Sequence, residues 1–247
     1  MEFRDVSFHY PNSPKDVLSH ISFRVERGQT LAIIGATGSG KTTLISLIAR
    51  FYDATGGQVL VDGADVREYA FDALYDRLGY VTQRAVLFSG DVESNVRFGQ
   101  SAGDASEEAV YRALDLAQAT EFVAKLPQGV HAPIAQGGAN VSGGQKQRLS
   151  IARALARQPE ILIFDDSFSA LDYRTDARLR AGLARELGDT TRIIVAQRIG
   201  TIRDADQILV LDEGKAVGMG THEELMKTCP VYQEIARSQL SSEELGA

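Results

Sequence analysis

The sequence predicts an α/β fold: a mainly parallel sheet, a small antiparallel β layer near the N-terminus, and a helical block inserted in the middle. Three observations predict it. Short runs rich in Val, Ile and Leu (Leu31 to Ile34, Ile161 to Phe164, Ile193 to Ala196) alternate with longer segments of helical period, as buried parallel strands joined by helices do. The first 30 residues alternate instead with a period near 2. Between about Arg84 and Ala156 the pattern turns helical.

Taken in order, Met1 to Tyr10 alternates roughly in period 2 (Phe3, Val6, Phe8), and Ile21 to Val25 does the same. Gln58 to Val61 joins that layer before an Asp62-Gly63 turn. Leu31 to Ile34 is a core strand, followed by a glycine-rich stretch and a helical run from Thr43 to Arg50. In the helical block the clearest helices are Glu107 to Gln118 and Gly143 to Arg157. Thr221-His-Glu-Glu224 is a capping box that opens one more helix after Leu211. The expected organisation is one domain over 1–240, with core and β layer in 1–83 and 157–240, the helical block in 84–156, and a tail over 241–247.

Composition bounds the function. The chain has 247 residues, 44% hydrophobic and 24% charged, within the globular range. No apolar run approaches the roughly 18 residues that span a bilayer, and the N-terminus does not resemble a signal peptide. The single Cys229, read as a half-buried thiol, excludes an internal disulfide framework and suits a reducing compartment. A net charge of -7 disfavours a broad phosphate-backbone surface, so no nucleic-acid partner is expected.

Gly35-Ala-Thr-Gly-Ser-Gly-Lys41-Thr42 is a complete phosphate-binding loop in the required context, after a strand and before a helix. Gly38 and Gly40 let the backbone approach phosphate, Lys41 reaches the β- and γ-phosphates, Thr42 holds Mg²⁺, and the helix N-terminus adds partial positive charge. Gly35, Thr37, Ser39 and Thr43 complete the expected nucleotide contacts. Asp165, ending an apolar strand, is either a turn residue or the second anchor for Mg²⁺; beside such a loop the second reading is taken. The combination predicts a P-loop NTPase core that binds ATP with Mg²⁺.

Val141-Ser-Gly-Gly-Gln145 opens the second long helix, and here the chain resembles the nucleotide-binding domain of an ATP-binding-cassette (ABC) transporter. Ser142, Gly143, Gly144 and Gln145 match the family signature, with Val141 for the usual Leu; Ser-x-x-Gln is also a capping box, which accounts for the helix start alone. Further matches carry the resemblance from about residue 2 to residue 240. Tyr10 stands where the family stacks an aromatic on adenine. Gln83 matches the Q-loop glutamine that contacts Mg²⁺ and feels a transmembrane partner. Asp172, in Ser169-Ala-Leu-Asp172, matches the D-loop, and Ala135-Gln-Gly-Gly138 sits where exporters carry a Gly-Glu-Arg-Gly-like segment. The resemblance implies two such domains head to tail, each ATP lying between the loop of one and the signature of the other.

Two positions depart from the family pattern. Asp166 follows Asp165 where a glutamate base is usual, and Gln197, in Ala196-Gln-Arg198, holds the place of a switch histidine. Asp is shorter than Glu by one methylene, roughly 1.5 Å, and misplacing a positioning group by about 1 Å can cost on the order of 100-fold in rate. Asp166, Gln197 and Gln83 are the expected catalytic residues of a site that holds ATP and hydrolyses it slowly. A homodimer would carry the defect twice, so the near-intact signature suggests a partner domain with Glu and His. Exporter-like cues, Ser89 to Val96 and the segment before the signature, favour a fused transmembrane domain over a separate subunit, placing the chain at the cytoplasmic face of a cell membrane. The alternatives are a regulatory module with negligible hydrolysis and a soluble ABC ATPase without transport.

Overall fold

The computed structural model describes residues 1–99 and 106–239. Residues 100–105 of the expected helical block and the expected tail 241–247 lie outside the described residues. The chain divides into two compact units, one of Met1–Leu78 with the chain from Asp189 onward, the other of Gly79–Gly188.

The first unit opens with β1 (Glu2–Phe8), β2 (Leu18–Arg24) and β3 (Thr30–Ile34), followed by α1 (Lys41–Ile48), β4 (Gly56–Val61), β5 (Ala64–Asp65) and the short α2 (Phe71–Tyr75). The order β2-β1-β4-β5, antiparallel throughout, is the expected N-terminal layer. Its alternation is imperfect for a physical reason. Phe3 pairs with Phe23 and Val6 with Ile21, so β1 holds one extra residue there; between Ile21 and Leu18 the extra residue is in β2. Asp5 (φ 49°) and His20 (φ 53°) take up the excess as left-handed bulges, and their side chains meet at 2.8 Å. The bulges keep Phe3, Val6, Phe8, Leu18, Ile21 and Phe23 on the buried face. That is why β2 starts at Leu18, ahead of the expected Ile21.

The second unit holds β6 (Leu78–Val81, whose first residue closes the first unit), β7 (Gly90–Asp91), α3 (Val92–Val96), α4 (Glu107–Leu116), α5 (Thr120–Ala124), β8 (Pro133–Ile134), α6 (Gly143–Ala156), β9 (Ile161–Asp165) and α7 (Tyr173–Glu186). The block expected to be helical also contains the antiparallel β7–β8 pair. Ser106 caps α4, accepting from the Ala109 amide. The helix stops at Leu116, short of the expected Gln118, because Gln118 turns into the left-handed region with φ 57°. Arg153 ties α6 to α3: its guanidinium donates to the Asn95 carbonyl, to Asn95 Oδ1 and to the Val86 carbonyl.

The chain returns to the first unit with β10 (Thr191–Val195), α8 (Ile199–Ile202), β11 (Gln207–Asp212), β12 (Lys215–Gly220), α9 (His222–Thr228) and α10 (Pro230–Gln239). Within this unit the strands run β12-β11-β3-β10, with β3 parallel to β10 and β11, and β12 antiparallel at the end. The central place of β3 explains its continuous apolar run: Leu31 to Ile34 are all at most 1% exposed. Cys229 is fully buried rather than half-buried, at 3% exposure, with its sulfur against Gly218.

Candidate nucleotide site

In the first unit, the carboxyl end of β3 delivers the glycine-rich loop. A Cβ at Gly35 would lie 2.0 Å from the Leu211 carbonyl oxygen and 2.7 Å from Ser39 Oγ, and one at Gly40 would lie 2.8 Å from Leu18 Cδ2. Gly38 (φ 84°) faces open space, with nothing within 4 Å of where its Cβ would be. The loop is therefore packed from behind at Gly35 and Gly40 and accessible at Gly38. Gly40 (φ 100°) is the N-cap of α1 and lets the helix start at Lys41 rather than at the expected Thr43. Lys41 Nζ lies over the loop, donating to the Gly35 carbonyl at 2.8 Å, the Ala36 carbonyl at 2.7 Å and Ser39 Oγ at 3.4 Å. A positive helix end, exposed Thr37 and Gly38, a lysine over the loop and Thr42, an exposed residue, are a set that fits a polyphosphate and its Mg²⁺.

Tyr10 is attached to the same helix. Its hydroxyl and Thr43 Oγ1 are hydrogen-bonded at 3.0 Å, and its ring meets Phe8 and Tyr52 edge-on at 5.0 and 5.2 Å. Gln197 is exposed in the loop between β10 and α8. Its backbone carbonyl accepts from Gln239 Nε2 at 2.8 Å.

In the second unit, β9 ends at Asp165, 7% exposed, and is followed by Asp166, 8% exposed. Asp166 has a left-handed backbone (φ 45°), and its Oδ2 accepts from Gln83 Nε2 at 3.1 Å. The sequence-predicted Gln83 and Asp166 are thus brought together. Its carbonyl caps the following turn, accepting from the Ser169 hydroxyl at 2.7 Å. Tyr80 and Gln147 escape the sequence reading. Tyr80 is hydrogen-bonded to Asp165, and burial, reinforced by that negative charge, pushes its phenol well above the usual range. Gln147, 1% exposed, donates from Nε2 to the Thr82 carbonyl at 3.2 Å and so joins α6 to the residue before Gln83. A polar residue on the apolar face of a predicted helix is the signal that could have found Gln147.

The signature residues sit at the start of α6. The expected capping box forms: Gln145 N–H donates to Ser142 Oγ at 3.3 Å, and Ser142 N–H donates to Gln145 Oε1 at 2.9 Å. Ser142 and Gly143 are exposed, and a Cβ on Gly144 would touch only the Ala170 carbonyl, at 3.5 Å. Just upstream, Ala135-Gln-Gly-Gly138 forms a tight turn held by Asn140, which accepts from the Ala135 amide and donates to the Pro133 carbonyl. Asp172 caps α7, accepting from the Thr175 hydroxyl and amide; those bonds hold its carboxyl below the usual carboxylate range.

An α/β chain with a complete phosphate loop, a strand-end aspartate and a glycine-flanked serine at a helix start defines a nucleotide-binding domain. Comparison with known proteins agrees. The ABC transporter family model matches residues 18–169. An ABC transporter ATP-binding protein of Mycobacterium bovis is 50% identical over 97% of this chain, and an ATP-dependent lipid A-core flippase of Aromatoleum aromaticum is 42% identical over 98%. The solved structure of a bacterial Atm1-family ABC exporter with ATP bound superposes with a TM-score of 0.91 and 37% identity over 97% of the chain. The chain belongs to the ABC transporter family, as one of its ATP-binding domains. It spans 41% and 40% of the length of those two relatives and 42% of the exporter chain.

Proposed function

We propose that this chain binds MgATP, hydrolyses it slowly at its own site, and lends its signature to the ATP of a different, catalytically complete partner domain in an exporter. The observation that supports this best is the Asp166 carboxylate: one methylene shorter than a glutamate, and held by Gln83. Gln197 adds to it, since an amide can hydrogen-bond but cannot take up a proton as an imidazole does.

In this reading Tyr10 stacks on adenine, and Gly35, Thr37, Gly38, Ser39, Gly40, Lys41, Thr42 and Thr43 cradle the phosphates. Thr42, Asp165 and Gln83 would hold Mg²⁺, which neutralises charge on the phosphate oxygens when bound. Tyr80 fixes the Asp165 carboxylate by hydrogen bonding. Asp166, the residue after Asp165, would orient the attacking water, and Gln83 restrains it on one side. Phosphoryl transfer depends on positioning and charge stabilisation, so a carboxylate set back by roughly 1.5 Å slows hydrolysis far more than binding. Ser142, Gly143, Gly144, Gln145 and Asp172 serve the partner's nucleotide, consistent with the exposure of Ser142, Gly143 and Asp172.

A transmembrane partner, fused in the full-length protein and placing this domain at the cytoplasmic face of the membrane, is supported by the greater length of the relatives and by an apolar patch. Phe88 and Phe98 stack at 4.1 Å, 42% and 50% exposed, beside Val86 at 54%. Such a patch suits a covered surface. No helix among the described residues is long and apolar enough to cross a membrane.

The test is ATPase activity of this chain and a Glu- and His-bearing partner domain, separately and mixed. Activity should appear on mixing and survive Asp166→Ala here, but fall with Ser142→Ala here. Fast turnover by this chain alone, insensitive to Asp166→Ala, overturns the reading.

A further inference from the structure

We propose that Gln239, on the last turn of α10, is a positioning residue for Gln197; this rests on the catalytic role proposed for Gln197. One side-chain amide grips the switch loop at two points. Nε2 donates to the Gln197 carbonyl at 2.8 Å, and Oε1 accepts from the Ile199 amide at 2.9 Å, so the amide spans Arg198. α8 needs that acceptor: its own N-cap, Arg198, makes no side-chain capping bond. An amide is the one side-chain group that offers donor and acceptor side by side for this pairing. It fixes the peptides on both sides of Arg198, and with them the direction in which the Gln197 side chain leaves the backbone.

α10 is built to hold Gln239 there. Tyr232 and Ala236 are both 0% exposed and anchor the helix, and Gln239 follows at i, i+4, i+7 spacing, itself exposed at the helix end. The Tyr232 hydroxyl is bonded to His222 Nδ1 at 2.7 Å, which pins the first half of α10 to α9. The last turn of α10 therefore lies on the backbone of the loop that carries Gln197.

Four variants of the full chain test this: Gln197→Ala, Gln239→Ala, Gln239→Glu, which keeps the acceptor and loses the donor, and Gln239→Ala with Gln197→Ala. The readouts are amide hydrogen exchange over 197–199, affinity for a fluorescent ATP analogue, and single-turnover hydrolysis with a partner domain whose own glutamate base is replaced, so that turnover reports this chain's site. Gln239→Ala is expected to speed exchange at Ile199 by about tenfold and Gln239→Glu by less, with affinity within about twofold of the parent. Hydrolysis should fall about three- to tenfold in Gln239→Ala, and the double variant should fall no further than Gln197→Ala alone, because both changes act through one side chain. Unchanged exchange over 197–199, or losses in the double variant that multiply, overturn the proposal. Parent hydrolysis indifferent to Gln197→Ala alone would instead sink the catalytic role of Gln197 and leave the exchange result standing as a test of the clamp.

Discussion

Gln83 Nε2 donates to Asp166 Oδ2 at 3.1 Å, joining the residue after β6 to the residue after β9. Asp166 adopts its left-handed backbone at the same point (φ 45°), a region that Asp tolerates better than longer side chains. The shorter acid is thus matched to its backbone as well as to its neighbour. Asp166→Glu with Gln197→His is expected to raise single-turnover hydrolysis at least about tenfold, while the glutamate lowers stability by about 0.5–1 kcal/mol from backbone strain. Rapid-quench kinetics and urea unfolding measure the two. No gain in hydrolysis would favour a regulatory module over a slowed enzyme.

The loop glycines should separate folding from binding. Gly35→Ala drives a methyl into the Leu211 carbonyl and is expected to cost about 3 kcal/mol of stability. Gly38→Ala meets nothing in the chain and should cost about 1–2 kcal/mol for its positive φ. Its methyl faces the open side of the loop, so it should weaken ATP binding by more than about tenfold in equilibrium titration. Equal loss of affinity and stability in both variants would contradict the separation.

Tyr10 has two separable parts. Tyr10→Phe removes the bond to Thr43 and keeps the ring against Phe8 and Tyr52, so ATP affinity should change by about twofold or less, with about 1 kcal/mol lost in stability. Tyr10→Ala removes the ring and should weaken binding about tenfold. Similar affinities for the two variants would remove adenine stacking from Tyr10.

Acid should loosen the antiparallel layer through Asp65, which is 5% exposed and paired with Arg67 at 2.6 Å. The bond from Arg67 holds the Asp65 carboxyl below its ordinary range. A carboxyl depressed in the folded state stabilises the fold fully above its unfolded pKa, about 4, and loses that contribution as pH falls through the lower folded value. Asp65→Asn should flatten the fall in stability below about pH 4 and cost about 1–3 kcal/mol at pH 7. A parent and variant with parallel pH profiles in urea unfolding would refute it.

Much of this chain was legible as sequence because its chemistry is local. The phosphate loop, the Ser142–Gln145 capping box and the buried run of β3 each depend on spacing within a few residues, and each appears where the spacing puts it. The bulges at Asp5 and His20 were hidden, since alternation alone does not tell which strand carries the extra residue. Tyr80, Gln147 and Gln239 were hidden for a different reason. Their partners, Asp165, the Thr82 carbonyl and the Gln197 loop, are remote in sequence, and no local pattern records a side-chain bond to a distant backbone.

The sequence by itself determined that the chain carries a complete P-loop between a strand and a helix, and that Asp166 and Gln197 stand where the family resemblance implies Glu and His. Residue identity and short-range backbone rules suffice for both. Only the tertiary structure decided that Gln83 restrains Asp166 and that the end of α10 grips the switch loop. Those bonds exist because β6 and β9 lie side by side and because Tyr232 and Ala236 bury α10 against its unit, arrangements fixed by packing rather than by any stretch of sequence alone.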